Sequence, residues 1–166
     1  MKKKVIYSHG KDSMPWGEKT RAFADVAKRH GYVVESPDYR AQPDPDERVK
    51  QLLATHWQEY NSVVLVGSSM GGYISTVASP VIKPKGLFLL APAFYLPGYQ
   101  ITEFAPVAEA ISVFHGWQDD IVAPEHAWRF CRTYRIRLNL YDADHRLMSV
   151  LPELTAEFDR FLAGLS

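Results

Sequence analysis

Val63-Val64-Leu65-Val66-Gly67-Ser68-Ser69-Met70-Gly71-Gly72 carries a short apolar run straight into Gly-x-Ser-x-Gly and on into a helical pattern. The apolar run reads as a buried strand and the segment from Met70 as a helix. A serine on so tight a strand-to-helix turn is held in a strained backbone conformation, which makes Ser69 a candidate nucleophile. Strand and helix pass close to each other there, so the residues two before and two after the serine must be small. Gly67 and Gly71 meet that need. The five-residue pattern is common by accident, and its weight here comes from the strand before it and the helix after it.

The second half of the chain supplies partners. Ile111-Ser112-Val113-Phe114-His115 reads as a buried strand, and Gly116-Trp117-Gln118-Asp119-Asp120 follows as a loop, so a carboxylate stands just past a strand end. Ile136-Arg137-Leu138-Asn139-Leu140 reads as another strand, with Tyr141-Asp142-Ala143-Asp144-His145 after it. A serine hydroxyl is a poor nucleophile near neutral pH and needs an imidazole to take its proton. The imidazole needs a carboxylate to fix its tautomer and stabilise its charged form. Serine, acid, histidine is one known chain order for such a triad.

With Ser8-His9-Gly10 after the first strand, the elbow at Gly67 to Gly71, His115-Gly116-x-x-Asp119-x-x-Val122 and Asp144-His145 after the last strand, the chain resembles the α/β-hydrolase superfamily in its small, lidless, esterase-like form. The resemblance covers nearly the whole length. It implies Ser69 as nucleophile, Asp119 as acid and His145 as base, with an oxyanion hole from the backbone N–H groups of Met70 and Lys11. It also implies that the second strand lies outermost beside the first, with the remaining strands added on the other side. At Asp142, where relatives often carry glycine, the sequence departs from the pattern, which leaves Asp142 and Asp144 as competing carboxylates for His145.

Across the chain, short apolar runs alternate with longer amphipathic ones, which predicts an α/β fold: a mostly parallel sheet of about six strands with helices on both faces. Strands are expected over 4–8, 32–36, 62–66, 86–91, 110–115 and 135–141, and helices over 17–30, 46–59, 70–78, 124–133 and 151–162. The 166 residues, 46% of them apolar, are expected to form one domain over 1–166. Lys plus Arg equals Asp plus Glu at 19 each, so no broad electrostatic footprint for nucleic acid is expected. The basic start Lys2 to Lys4 leads into no apolar stretch suited to a signal peptide or membrane span, and a soluble, cytoplasmic protein without a membrane partner is the expectation. The lone Cys131 cannot form an internal disulfide, in keeping with a reducing compartment.

An open parallel sheet binds ligands at the carboxyl ends of its strands, where His9, Ser69, Ala91, Asp119 and His145 all fall. The excursion from Pro92 to Pro106 carries Phe94, Tyr95, Leu96, Tyr99, Ile101 and Phe104. These either pack the loop or wall a pocket with Met14, Trp16 and Trp117. His9 and His115 read as loop-organising residues, with ligand contact as the alternative. Other chemistries lack their signatures. Tyr73-Ile74 stands where a phosphate loop needs Lys and Ser/Thr, there is no Gly-x-Gly-x-x-Gly, and no His or Cys pair has strong metal-ligand spacing. No cofactor and no metal are expected. The function these readings support is hydrolysis of a small carboxylic ester or thioester through an acyl-enzyme. An acyltransferase using the same intermediate and a non-catalytic binding protein on the same fold are the alternatives, and the oligomeric state is left open.

Overall fold

The computed structural model describes residues 1–165. In chain order it consists of β1 (Lys3–Ser8), α1 (Glu18–Arg29), β2 (Val33–Glu35), α2 (Pro45–Leu53), β3 (Ser62–Ser68), α3 (Met70–Ile82), β4 (Gly86–Leu90), β5 (Ala110–Gly116), α4 (Pro124–Tyr134), β6 (Leu138–Tyr141) and α5 (Leu151–Ala163), with short 3₁₀ turns at Trp57–Glu59 and Met148–Val150. All six strands are parallel, in the order β2-β1-β3-β4-β5-β6. This is the α/β arrangement expected from the sequence, and β2 lies outermost beside β1 as the resemblance implies.

Both faces of the sheet are covered, and the period-2 alternation of strand side chains sorts the core into two halves. Val5 and Tyr7 of β1, Val64 and Val66 of β3, and Phe88 and Leu90 of β4 pack with Phe23 and Val26 of α1 and Phe158 and Leu162 of α5. Ile6, Val63, Leu65, Leu87 and Leu89 point the other way, onto Leu52 of α2, Ile74 and Ala78 of α3 and Phe130 of α4. Cys131 is buried in this second half, and burial pushes its thiol up to about 12, so it is an apolar packing group.

Three element boundaries differ from the sequence reading by three residues or more. The helix expected over 46–59 stops at Leu53. The Thr55 hydroxyl donates to the Leu52 carbonyl and the Trp57 indole N–H to that of Leu53, so side chains take over acceptors that another helical turn would have used. The helix expected to stop at Ala78 continues through Pro80 to Ile82. Proline has no N–H for the Thr76 carbonyl, and the Ser79 hydroxyl donates to that oxygen instead at 2.8 Å. The last strand begins at Leu138 because Arg135 adopts a left-handed conformation (φ 57°) that closes α4, with Ile136 N–H donating back to the Cys131 carbonyl.

No lid rises from the β4–β5 connection, and its aromatic residues largely turn inward. Phe94 and Phe104 are buried, with the Phe94 and Phe130 rings stacked 4.1 Å apart. Polar side chains pin the backbone of this segment: the hydroxyls of buried Tyr73 and Ser79 accept from Ile101 and Val107 N–H, and that of half-buried Tyr134 from Phe104 N–H. No helix among the described residues is long and apolar enough to cross a membrane.

Candidate active site

The chain reverses direction of sheet growth between β1 and β3, whose register pairs Ser8 with Gly67, and the residues that follow these two strands meet at the crevice this creates. Ser69 leaves β3 with φ 56° and ψ −117°, a conformation L-residues rarely adopt. The surroundings hold it there. Ser69 N–H donates to the Leu90 carbonyl at 2.9 Å, and its own carbonyl accepts from Gly72 and Ala93 N–H, both at 2.9 Å. The expected closeness is present. A Cβ on Gly71 would overlap the Ser8 carbonyl, and one on Gly67 would overlap the carbonyl of Gly71. Gly71→Ala therefore has to push the start of α3 away from β1, and should lower stability by about 3 kcal/mol or more in a denaturant melt. Gly17→Ala, with nothing within 4 Å of the added carbon, is the neutral control.

Asp119 and His145 arrive from β5 and β6. Trp117 N–H donates to the Tyr141 carbonyl and Gln118 N–H to that of Ala143, which ties the acid-bearing loop to the histidine-bearing turn. His145 Nδ1 donates to Asp119 Oδ2 at 2.7 Å, and His145 Nε2 accepts from the Ser69 hydroxyl at 2.9 Å. The competing carboxylates are occupied elsewhere. Asp144 Oδ1 accepts from Arg146 and Leu147 N–H and so shapes the turn, while Asp142 is exposed and accepts from the Gln118 side chain.

The Asp119 side chain is fully buried, and both its oxygens are used. Oδ1 accepts from Ile121 and Val122 N–H at 2.9 and 2.8 Å; Oδ2 faces His145 and also His115 Nε2, at 3.1 Å. Burial works to raise the Asp119 carboxyl, but the hydrogen bonds from His115, His145 and Val122 outweigh it and hold the group well below the usual carboxylate range. His115 Nε2 also lies 2.8 Å from the Val122 carbonyl. Both of its partners are acceptors, so this nitrogen carries the proton. The sequence reading gave His115 a loop-organising role, which the Val122 bond fulfils, but missed its contact with Asp119. The four-residue spacing in His115-Gly116-Trp117-Gln118-Asp119 was the available signal.

Behind Ser69, Met70 opens α3 as its first residue, so its N–H has no acceptor inside the helix. On the facing side, Gly10 passes close enough that a Cβ on it would sit 3.5 Å from Ser69 Cβ, and Lys11 follows. The 9–11 turn is firmly held. His9 Nδ1 donates to the Gly10 carbonyl at 2.8 Å and its Nε2 accepts from Tyr39 N–H at 3.0 Å, which fixes one tautomer. Burial shifts His9 downward and favours that neutral form. Arg48, also buried, reaches over from α2 to donate to the carbonyls of Gly10 and Lys11. Nothing in the polar face of α2 marks Arg48 in the sequence as different from its solvated neighbours.

These groups open onto a cavity of about 840 Å³ that is lined by Ser69, His145, Lys11, Lys19, Met14 and Tyr99 among others. Leu96, Ile121, Val122 and Met148 add to its apolar side, whereas Trp16, Trp117, Phe94, Tyr95, Ile101 and Phe104, which the sequence offers as possible walls, take no part in it. No group of three or more His, Cys, Asp or Glu side chains suited to a metal ion occurs among the described residues.

Residues 4–104, more than half of the chain, match the family model described as Uncharacterised protein family (UPF0227). No curated protein sequence matches. Among solved structures, a protein of Xanthomonas campestris described as a hydrolase of the alpha/beta superfamily is similar over 98% of this chain and 99% of its own, at 29% identity and a TM-score of 0.87. The Pyrococcus furiosus esterase Pf2001 aligns over 97% of this chain and 82% of its own, at 21% identity and a TM-score of 0.81. A lidless a/b serine hydrolase of Xanthomonas campestris aligns over 96% and 81%, at 19% identity and a TM-score of 0.65. At those lower identities the likeness concerns the fold. Parallel sheet, strand order and relatives agree, and the chain belongs to the UPF0227 family, built on the α/β-hydrolase fold.

Proposed function

We propose that this protein is a serine hydrolase that cleaves a small carboxylic ester or thioester through an acyl-enzyme. The observation that carries the reading is the unbroken chain from Ser69 Oγ through His145 to Asp119, at 2.9 and 2.7 Å. Ser69 attacks the substrate carbonyl as His145 Nε2 takes its proton. The imidazolium that forms is stabilised by Asp119, whose hydrogen bonds keep it ionised. The Met70 and Lys11 N–H groups face the developing oxyanion, a contribution of roughly 3–4 kcal/mol for a well-placed donor. His145 then protonates the leaving group, water enters, and the same groups run the steps in reverse to release the acid and free Ser69.

The cavity is bounded by Leu96, Pro97 and Tyr99 on a connection that is pinned to the core, and no lid closes over it among the described residues. A short acyl group suits such a site better than a long chain. The test is a panel of p-nitrophenyl esters of graded acyl length, run beside acyl-CoA thioesters and anilides. Turnover of short esters or thioesters that declines with chain length is expected. Turnover of anilides alone, or of none of these together with no fluorophosphonate labelling, would overturn the reading.

A further inference from the structure

Lys19 is the second residue of α1 and lines the same cavity as Ser69. Its Nζ donates to the hydroxyl of Ser68, the residue before the nucleophile, at 3.2 Å. No carboxylate among the described residues lies within 4 Å of it, so its hydrogen-bond partner is a neutral hydroxyl. Arg146, directly after His145, lines the cavity too and is likewise without a carboxylate partner. Burial first, and then the Arg146 charge, push Lys19 down to about 8, with Asp144 acting weakly the other way. The two carboxylates on the cavity wall, Asp12 and Glu18, are exposed, and neither comes within 4 Å of Lys19 or Arg146.

Two neighbouring cations on a partly enclosed wall repel each other, and half-buried Lys19 has exchanged part of its hydration for a single neutral hydroxyl. Such an arrangement does not serve the fold. A bound anion would supply the missing charge and accept the ammonium's free donors in short, charge-assisted hydrogen bonds. Building on the serine-hydrolase reading of the same cavity, we propose that the substrate carries an anionic group, a carboxylate or phosphate, that docks on Lys19 Nζ beside Arg146 while its ester or thioester carbonyl lies at Ser69. Lys19 is then a specificity-determining residue.

The kinetic test uses two matched pairs. p-Nitrophenyl hemisuccinate against p-nitrophenyl butyrate places the charge on the acyl side; 4-butyryloxybenzoate against its methyl ester places it on the leaving-group side. In at least one pair the anionic ester should be preferred in kcat/KM by about ten- to a hundredfold, the range of a hydrogen bond to a charged group. The preferred pair identifies the side. Added salt should reduce the preference in the wild-type protein, Lys19→Met should abolish it and Lys19→Arg should retain much of it. Arg146→Gln, on an exposed side chain, should lower it and serves where a Lys19 variant does not fold.

A binding arm needs no turnover: calorimetry of the Ser69→Ala protein with monomethyl succinate and with methyl butyrate should show the same charge preference, lost when Lys19→Met is added. Equal treatment of charged and neutral partners in both pairs and in calorimetry would overturn the proposal, as would a preference insensitive to salt and to Lys19→Met. Ser69 that labels with a fluorophosphonate but shows no charge preference removes this inference alone. Ser69 that does not label, with no ester turned over, removes the hydrolase reading, and calorimetry still decides whether the anion site exists.

Discussion

The Ser69→Ala protein is expected to fold, to lose fluorophosphonate labelling entirely and to hydrolyse esters more slowly in kcat by about 10⁶-fold, the scale of losing the nucleophile of a working triad. The magnitude follows from the order of events. Without Oγ there is no acyl-enzyme, and His145 has no proton to receive, so only the oxyanion donors and substrate binding remain. Intact-mass detection of a single fluorophosphonate adduct on the wild-type protein, mapped to Ser69, with none on the variant, checks the assignment. Labelling of the alanine protein at wild-type rate would sink it. Ser69→Gly makes a companion measurement. Glycine relieves the positive φ that alanine retains, so Ser69→Gly should be equally inactive and more stable than Ser69→Ala by about 1–2 kcal/mol. A difference of that sign would show that residue 69 is held in a strained backbone conformation by its backbone hydrogen bonds even when the nucleophile is gone.

How far the sequence reaches depends on whether an interaction is local in the chain. The elbow was legible because its constraints fall within five residues: Gly67 and Gly71 must admit neighbouring backbone, and each would clash with it if it bore a side chain. The strands were legible because alternation within Val63 to Val66 divides cleanly between the two halves of the core. The order of Ser69, Asp119 and His145 was legible too, and the structure brings those three side chains into hydrogen-bonding distance. What could not be read were contacts between segments far apart. Arg48 holds the Gly10 and Lys11 carbonyls from a helix thirty-odd residues later, and its residue type gives no hint of burial. Phe94 and Phe104 belong to an apolar loop that could have faced either side, and the choice was made by Phe130 and Tyr134 on α4. The helix expected to end at Ala78 runs on through Pro80 because the Ser79 hydroxyl satisfies the carbonyl that the proline leaves free.

Replacing the acid separates it from its two competitors, Asp142 and Asp144. Asp119→Asn should reduce kcat by about 10⁴-fold, the effect seen when an imidazole is locked in the wrong tautomer. The reason lies in the division of labour between the two carboxylate oxygens. Ile121 and Val122 N–H demand an acceptor at the Oδ1 position, so the asparagine oxygen is drawn there and its NH₂ takes the place of Oδ2. That NH₂ confronts His145 Nδ1 and His115 Nε2 with a donor where both now have an acceptor. His145 must then move its proton to Nε2, where it faces the Ser69 hydroxyl and can no longer receive a proton from it. Asp142→Asn and Asp144→Asn keep acceptors for Gln118 and for the Arg146 and Leu147 amides, and should fall within a few-fold of wild type. The substitution also has a stability signature whose sign is fixed. The Asp119 carboxyl is lower in the folded chain than its unfolded value of about 4, so its stabilisation is present above that pH and is lost as pH falls toward the folded value. Denaturant melts should therefore find Asp119→Asn less stable than wild type at pH 7, with the gap narrowing steadily below about pH 4. A loss of activity as large in Asp144→Asn, or a stability gap that widens on acidification, would move the role of acid away from Asp119.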